Sequence, residues 1–292
     1  MKPANFTYHR PSQLEEAFQL LETYADEAKV IAGGQSLVPM MNMRLARPEH
    51  LIDINELPNL GYVRKTADTL QIGALVRQAD LEQSPELKEG CPIIAEAIRH
   101  VGHLAIRQRG TIGGSIAHAD PAAEMPLMAA LFNANLTIAS SEGTRVVPAG
   151  DFFITIYTTD LLPNELVTQV EFPLMKPSDG WSYQEFSRRR GDFAIVSVAT
   201  ILSLDSAGSV KRIQMALGGA DLIPINVSAS LDGFLGVKPD QAWMDSIADT
   251  VTEGLDLNSD LHGSAEDRLE WLQLLVRKSL QQSLERAKLE ER

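Results

Sequence analysis

Residues 109–124 read Arg-Gly-Thr-Ile-Gly-Gly-Ser-Ile-Ala-His-Ala-Asp-Pro-Ala-Ala-Glu, and residues 32–37 read Ala-Gly-Gly-Gln-Ser-Leu. Each stretch sets a pair of adjacent glycines beside a hydroxyl side chain. Glycine lets the backbone approach a ligand closely and take positive φ, successive N–H groups form a concave anion nest, and Ser or Thr adds a donor. Together these features suit a pyrophosphate. One isolated glycine pair is as readily explained by a tight turn; two pairs with matching neighbours weigh against turns alone. Neither stretch is G-x-G-x-x-G, and G-x-x-x-x-G-K-[ST] occurs nowhere in the chain, so the familiar dinucleotide and P-loop motifs are excluded.

Working outward, Lys29, Val30, Ile31 and Ala32 form a short apolar run stopped by Gly33 and Gly34, the pattern of a buried strand running into a turn. Upstream, Ser12 and Glu15 stand three apart behind Pro11 as a capping box, with Leu14, Ala17, Phe18 and Leu21 at helical spacing. Leu51–Ile54 and Thr69–Gly73 read as strands, and Ile93, Ile94, Ala97, Ile98 and Val101 as a helix face. The densest Pro/Gly/Ser punctuation of mid-chain falls at 173–180 and predicts a domain boundary, dividing the chain into 1–176 and 177–292. Beyond it, Ser182–Arg188, Ala194–Leu204 and Val210–Leu217 read as strands of an antiparallel sheet. Val196, Val198, Leu202 and Leu204 share one parity, as do Ile213, Met215 and Leu217. Two helices follow, one around Trp243, Ile247 and Val251, the other from about Ala265 with a stripe of Leu269, Leu272, Val276 and Leu280. The expected class is α+β.

A chain of 292 residues accommodates one large domain or two smaller ones. With 44% hydrophobic and 22% charged residues and no long apolar run, it reads as a soluble globular protein without a membrane span. The net charge of −13 would repel a phosphate backbone, which argues against nucleic acid as a partner. A single cysteine, Cys91, rules out a disulfide within the chain and an iron–sulfur cluster held by four thiolates of this chain alone. The N-terminus carries no signal-peptide pattern, so the expected location is cytoplasmic.

The stretches at 32–37 and 109–124, with Arg-Arg-Arg-Gly-Asp-Phe-Ala at 188–194, resemble the medium, FAD-binding subunit of the molybdenum hydroxylases, the family of carbon monoxide dehydrogenase and bacterial xanthine dehydrogenases. The resemblance covers nearly the whole chain. It implies an FAD-binding domain of the vanillyl-alcohol oxidase type with two lobes, about 1–55 and 56–176, followed by a C-terminal antiparallel sheet with packed helices. It further implies that Ile31, Ala32, Gly33, Gly34, Gln35, Ser36 and Leu37, with Thr111, Gly113, Gly114 and Ser115, embrace the FAD pyrophosphate and ribityl chain. Asp120 and Glu124 would contact the ribose and adenosine end, Val167 the adenine side, Gln184 would lie near the flavin, and Phe193 would shield a flavin face. Two positions depart from the family pattern: Phe193 replaces a frequent Tyr, and Gln35 a frequent His. No side chain is expected to be catalytic, because the redox centre is the FAD. [2Fe-2S] clusters and molybdopterin are implied on a small and a large partner subunit, in a dimer of heterotrimers, with electrons passing to NAD, a quinone or oxygen. A stand-alone FAD-dependent oxidoreductase of the same fold and a non-catalytic assembly protein are the alternatives.

Other features have plainer explanations. His100 and His103 are three apart, yet with no partnered Cys or carboxylate motif they read as packing or surface residues, and no metal site is expected. His118 and Asp120 lie inside the glycine stretch at 109–124, where cofactor positioning is the expected role rather than acid–base chemistry. Arg188, Arg189 and Arg190 are either a solvated loop or a flavin or partner contact, and Met40, Met41 and Met43 either fill space beneath a cofactor or form a docking surface.

Overall fold

The computed structural model describes residues 1–288. Its first sheet is three-stranded and parallel: β1 (Thr7–His9), β2 (Ala28–Ile31) and β3 (His50–Asp53), in the order β1-β3-β2. Helix α1 (Leu14–Tyr24) buries Ala17, Phe18 and Leu21 in a small core with Ile52, Ile54 and Leu57. The capping box expected from Ser12 and Glu15 does not form. Gln13 is the cap residue and makes no side-chain cap, while Ser12 N–H donates to Glu16 Oε2 at 2.8 Å. Between β2 and β3 the first glycine pair leads into α2 (Leu37–Asn42).

The second sheet, order β4-β5-β10-β6-β7, is antiparallel: β4 (Val63–Lys65), β5 (Thr69–Gly73), β6 (Asn135–Ser140), β7 (Gly143–Pro148) and β10 (Leu166–Pro173), with the hairpin β8 (Phe153–Thr155) and β9 (Thr158–Thr159) set apart. Helices α3 (Gln78–Gln83), α4 (Pro85–Gly90), α5 (Pro92–Ile98), α6 (Leu104–Arg107), α7 (Ile112–His118) and α8 (Glu124–Phe132) fill the β5–β6 connection, and α9 (Ala149–Phe152) follows β7. Every residue of α8 is buried, so this helix is apolar all round rather than amphipathic.

The third sheet runs β11 (Gly180–Phe186), β12 (Val196–Leu204), β13 (Val210–Gly218) and β14 (Ile225–Asn226), antiparallel throughout. All nine residues of β12 are buried because helices cover both faces. Val196, Val198, Leu202 and Leu204 pack with Ile213, Met215 and Leu217 against α10 (Gln241–Thr252) and α11 (Ala265–Arg286). The opposite parity, Tyr183, Ala199, Ile201 and Ala216, joins the core of α5 and α8. The α+β class expected from the sequence is the one observed. No helix of the described residues is long and apolar enough to cross a membrane.

Candidate functional site

A cleft of about 760 Å³ runs between the first and second sheets, within the size range of small-molecule sites. Its walls include Ile31 to Leu37 from the β2–α2 connection, Thr111, Gly113, Gly114 and Ser115 from the start of α7, then Asp120, Glu124, Val167 and Phe193. Two glycine pairs nearly eighty residues apart in sequence thus face one space.

They meet by direct backbone contact. Gly33 is buried, and a Cβ there would overlap the carbonyl of Arg109 and lie 2.8 Å from Gly110 Cα. Gly113 likewise has Ala74 where a side chain would go, and its N–H donates to Ala74 O at 3.0 Å. Gly34, at φ +72°, makes the turn into α2. A polar staple crosses the same seam: Asn55 Nδ2 donates to Ala32 O (2.8 Å), and the Arg77 guanidinium donates to Asn55 Oδ1 (2.6 Å) and to Arg109 O. Neither Asn55 nor Arg77 carries a motif signal; only their backbone-directed bonds give them away.

The two segments are not equivalent as anion receptors. Residues 112–118 form a helix, not an extended loop, since the Thr111 hydroxyl caps it by accepting from Gly114 N–H at 3.1 Å. The N–H groups of Ile112, Gly113 and Ser115 are also taken, by Val76 O, Ala74 O and Thr111 O. In the first segment, by contrast, no hydrogen bond among the described residues engages the backbone N–H of Gly33, Gly34, Gln35, Ser36 or Leu37. Five consecutive residues that line a cleft and leave their backbone N–H groups unpartnered suit a pyrophosphate, so the residues present fit a flavin dinucleotide.

Farther along the cleft, the αL conformation of Ala119 ends α7 and turns Asp120 inward. The His118 ring stacks on Tyr157 with centroids 5.0 Å apart, and the Tyr157 hydroxyl points to Asp120 Oδ2 at 3.4 Å. Burial lowers the His118 pKa and raises that of Tyr157. Glu124, 5% exposed, is pushed up to about 8, chiefly by burial and then by the negative charges of Glu185 and Asp120. Burial thus favours its neutral, protonated form. Tyr157 escaped the sequence reading because the hairpin that delivers it has no motif.

Gln184 is the one expected site residue that does not line the cleft. On β11, alternate side chains face opposite ways. Ser182 and Gln184 turn to α11, with Gln184 Nε2 donating to Gln282 Oε1 (2.9 Å) and Ser182 Oγ (3.1 Å). Tyr183 and Glu185 face α5, and Glu185 receives the Tyr183 hydroxyl (3.0 Å) and lies 3.0 Å from His100 Nδ1. His100 and His103 share no helix face, since α5 ends at Ile98 and His103 precedes α6. Phe193 is 61% exposed, on a loop turned by Gly191 at φ +87°. Arg188, Arg189 and Arg190 lie exposed on the same loop. Met40 lines the cleft, Met41 is buried and Met43 is exposed. Burial pushes the Cys91 thiol up to about 12, which leaves it unreactive.

Comparison with known proteins gives two family matches: the FAD binding domain in molybdopterin dehydrogenase over residues 4–175, and the CO dehydrogenase flavoprotein C-terminal domain over residues 181–283. The chain is 38% identical to the 6-hydroxypseudooxynicotine dehydrogenase complex subunit alpha of Paenarthrobacter nicotinovorans, covering 99% of this chain and 97% of that one. It is 34% identical to the carbon monoxide dehydrogenase medium chain of Hydrogenophaga pseudoflava, over 96% and 97%. A solved carbon monoxide dehydrogenase from Hydrogenophaga pseudoflava superposes with a TM-score of 0.95 at 34% identity, covering 99% of this chain and 100% of that chain. Quinoline 2-oxidoreductase from Pseudomonas putida 86 does so at 0.93 and 36%, covering 98% and 99%.

Proposed function

Because the chain belongs to the family of FAD-binding medium subunits of the molybdenum hydroxylases, we propose that it carries electrons from a [2Fe-2S] cluster on a small partner subunit to an external acceptor. Bound FAD supplies the redox chemistry. The chain's own residues bind, orient and shield. Gly33 to Leu37 donate their free N–H groups to the pyrophosphate. Ile31, Ala32, Thr111, Gly113, Gly114 and Ser115 form the surrounding walls, Asp120, Glu124 and Val167 hold the nucleoside end, and Phe193 covers a ring face. Gln184 is withdrawn from this set.

The observation that carries this reading is the row of five free N–H groups on the cleft wall. We assign FAD binding to residues 1–176, as lobes of about 1–55 and 56–176, and treat 177–292 as the second domain. Substrate hydroxylation falls to a large molybdopterin subunit, in a cytoplasmic dimer of heterotrimers, with NAD, a quinone or oxygen as acceptor. The test is to recover a tagged copy from its native cell and record its visible spectrum and companions. A flavin spectrum overlaid by iron–sulfur absorption, with one large and one small partner, is expected. A yellow chain recovered alone and turning over a substrate would favour a stand-alone oxidoreductase. A colourless chain that takes up no added FAD would refute the reading.

A further inference from the structure

Beneath the seam between the two glycine segments lies Gln78, the first residue of α3, which also lines the cleft. It is 3% exposed, and its Oε1 is buried without a hydrogen-bond partner among the described residues. The Nε2 of the same amide makes no hydrogen bond there either, yet is not sealed from the cleft as Oε1 is. An amide oxygen buried without a partner destabilises the chain that carries it.

Nothing in the packing of the chain calls for an amide at this position. The backbone is held independently, by Gln78 N–H donating to Gly110 O at 2.9 Å and by the bridge between Arg77 and Thr111. Gly110 is kept small by the amide, since a Cβ there would overlap Gln78 Oε1 and lie 3.1 Å from its Cδ. Space has been made for a polar group that the protein alone leaves unsatisfied. A leucine of similar volume would fit the same site without that cost.

We propose that Gln78 is a cofactor-binding residue, its carboxamide hydrogen-bonding a polar atom of the flavin nucleotide where the two glycine segments meet. The inference rests on the FAD-binding reading above. The carboxamide serves a ligand oxygen through Nε2 and, after a half-turn about its terminal bond, a ligand hydroxyl or imide N–H through Oε1.

The experiment uses the full chain stripped of flavin and titrated with FAD, affinity being read from flavin fluorescence at 10 °C and stability from urea unfolding of the FAD-free chain. Wild type is measured first, so that failure of the chain to bind any FAD counts against the functional reading and not against Gln78. Gln78→Leu is expected to weaken FAD binding by tenfold or more while leaving the FAD-free chain as stable as wild type or more so. Gln78→Met, slimmer and flexible, is expected to show the same affinity loss if Leu disturbs folding. Unchanged affinity in both variants would overturn the proposal. So would a fall in FAD-free stability with affinity preserved, which is the signature of a structural amide.

Discussion

Gly33 and Gly114 look interchangeable as members of glycine pairs, but their surroundings differ. The sequence suggests that valine at either position would evict the phosphate and spare the fold. That expectation needs correcting for Gly33, because the space above its Cα is filled by Arg109 and Gly110 of the facing segment. Gly33→Val is expected to lose about 1–3 kcal/mol of stability by forcing the segments apart, measured by urea unfolding of the FAD-free chain. Gly114 is exposed on the cleft and its Cβ would meet only the Thr111 hydroxyl, at 2.8 Å, and Ala32 Cβ, at 3.7 Å. Gly114→Val should therefore weaken FAD binding more than stability. Equal stability losses in the two variants would contradict the distinction.

Glu124 yields a pH signature. The folded chain keeps its proton up to about pH 8, whereas the unfolded chain releases it from about pH 4.5. Between these values unfolding liberates a proton, so stability falls as pH rises, by at most ~1.4 kcal/mol per pH unit. Glu124→Gln should flatten that slope between pH 5 and 8 and gain stability at the alkaline end. Parallel pH curves for variant and wild type would show that Glu124 ionises normally.

At the scale of elements, the staple through Asn55 and Arg77 joins the β2–α2 turn to the strand-like entry into α7. Arg77 is partly buried, and its pKa is lowered mainly by that burial, so the guanidinium depends on these acceptors. Arg77→Met is expected to cost about 1.5–3 kcal/mol, the range for hydrogen bonds to charged groups, and to widen the cleft enough to lower FAD affinity. A variant with wild-type urea midpoint would show that the seam is held by backbone contact alone.

The elements themselves were unevenly legible. The parity of Val196, Val198, Leu202 and Leu204 reported the α10/α11 face of β12 because alternation survives in a sheet with a helix on each side. The helix at 112–118 is not announced by the sequence, since Gly113 and Gly114 depress helix propensity, while the features that override it, the Thr111 cap and the close packing on Ala74, depend on the fold. Gln184 rests on the family resemblance alone, and its side chain lies against α11, bonded to Gln282 and Ser182. The glycine pairs announced themselves, whereas Gln78, Asn55, Arg77 and Tyr157 act through position alone.

Over the whole molecule, the C-terminal sheet is bound to the second lobe through one continuous core. The far end of α11 closes the arrangement. Arg286 sits 3.9 Å over the Trp181 ring, donates to Trp181 O at 3.0 Å and pairs with Glu96 of α5 at 3.1 Å. Truncation by Arg286→Ala should lower stability by about 1 kcal/mol and leave FAD affinity unchanged, because none of these groups lines the cleft. A loss of affinity without loss of stability would mean that the clamp reaches the site.

The central claim is that this chain holds FAD in the cleft between its two lobes. It is tested most directly by titrating the purified, flavin-free chain with FAD and measuring stoichiometry and affinity, with FMN as the competitor lacking the pyrophosphate linkage. One FAD per chain, bound far more tightly than FMN, is expected from the five free N–H groups of Gly33 to Leu37. Absence of binding, or FMN binding as tightly as FAD, would contradict it.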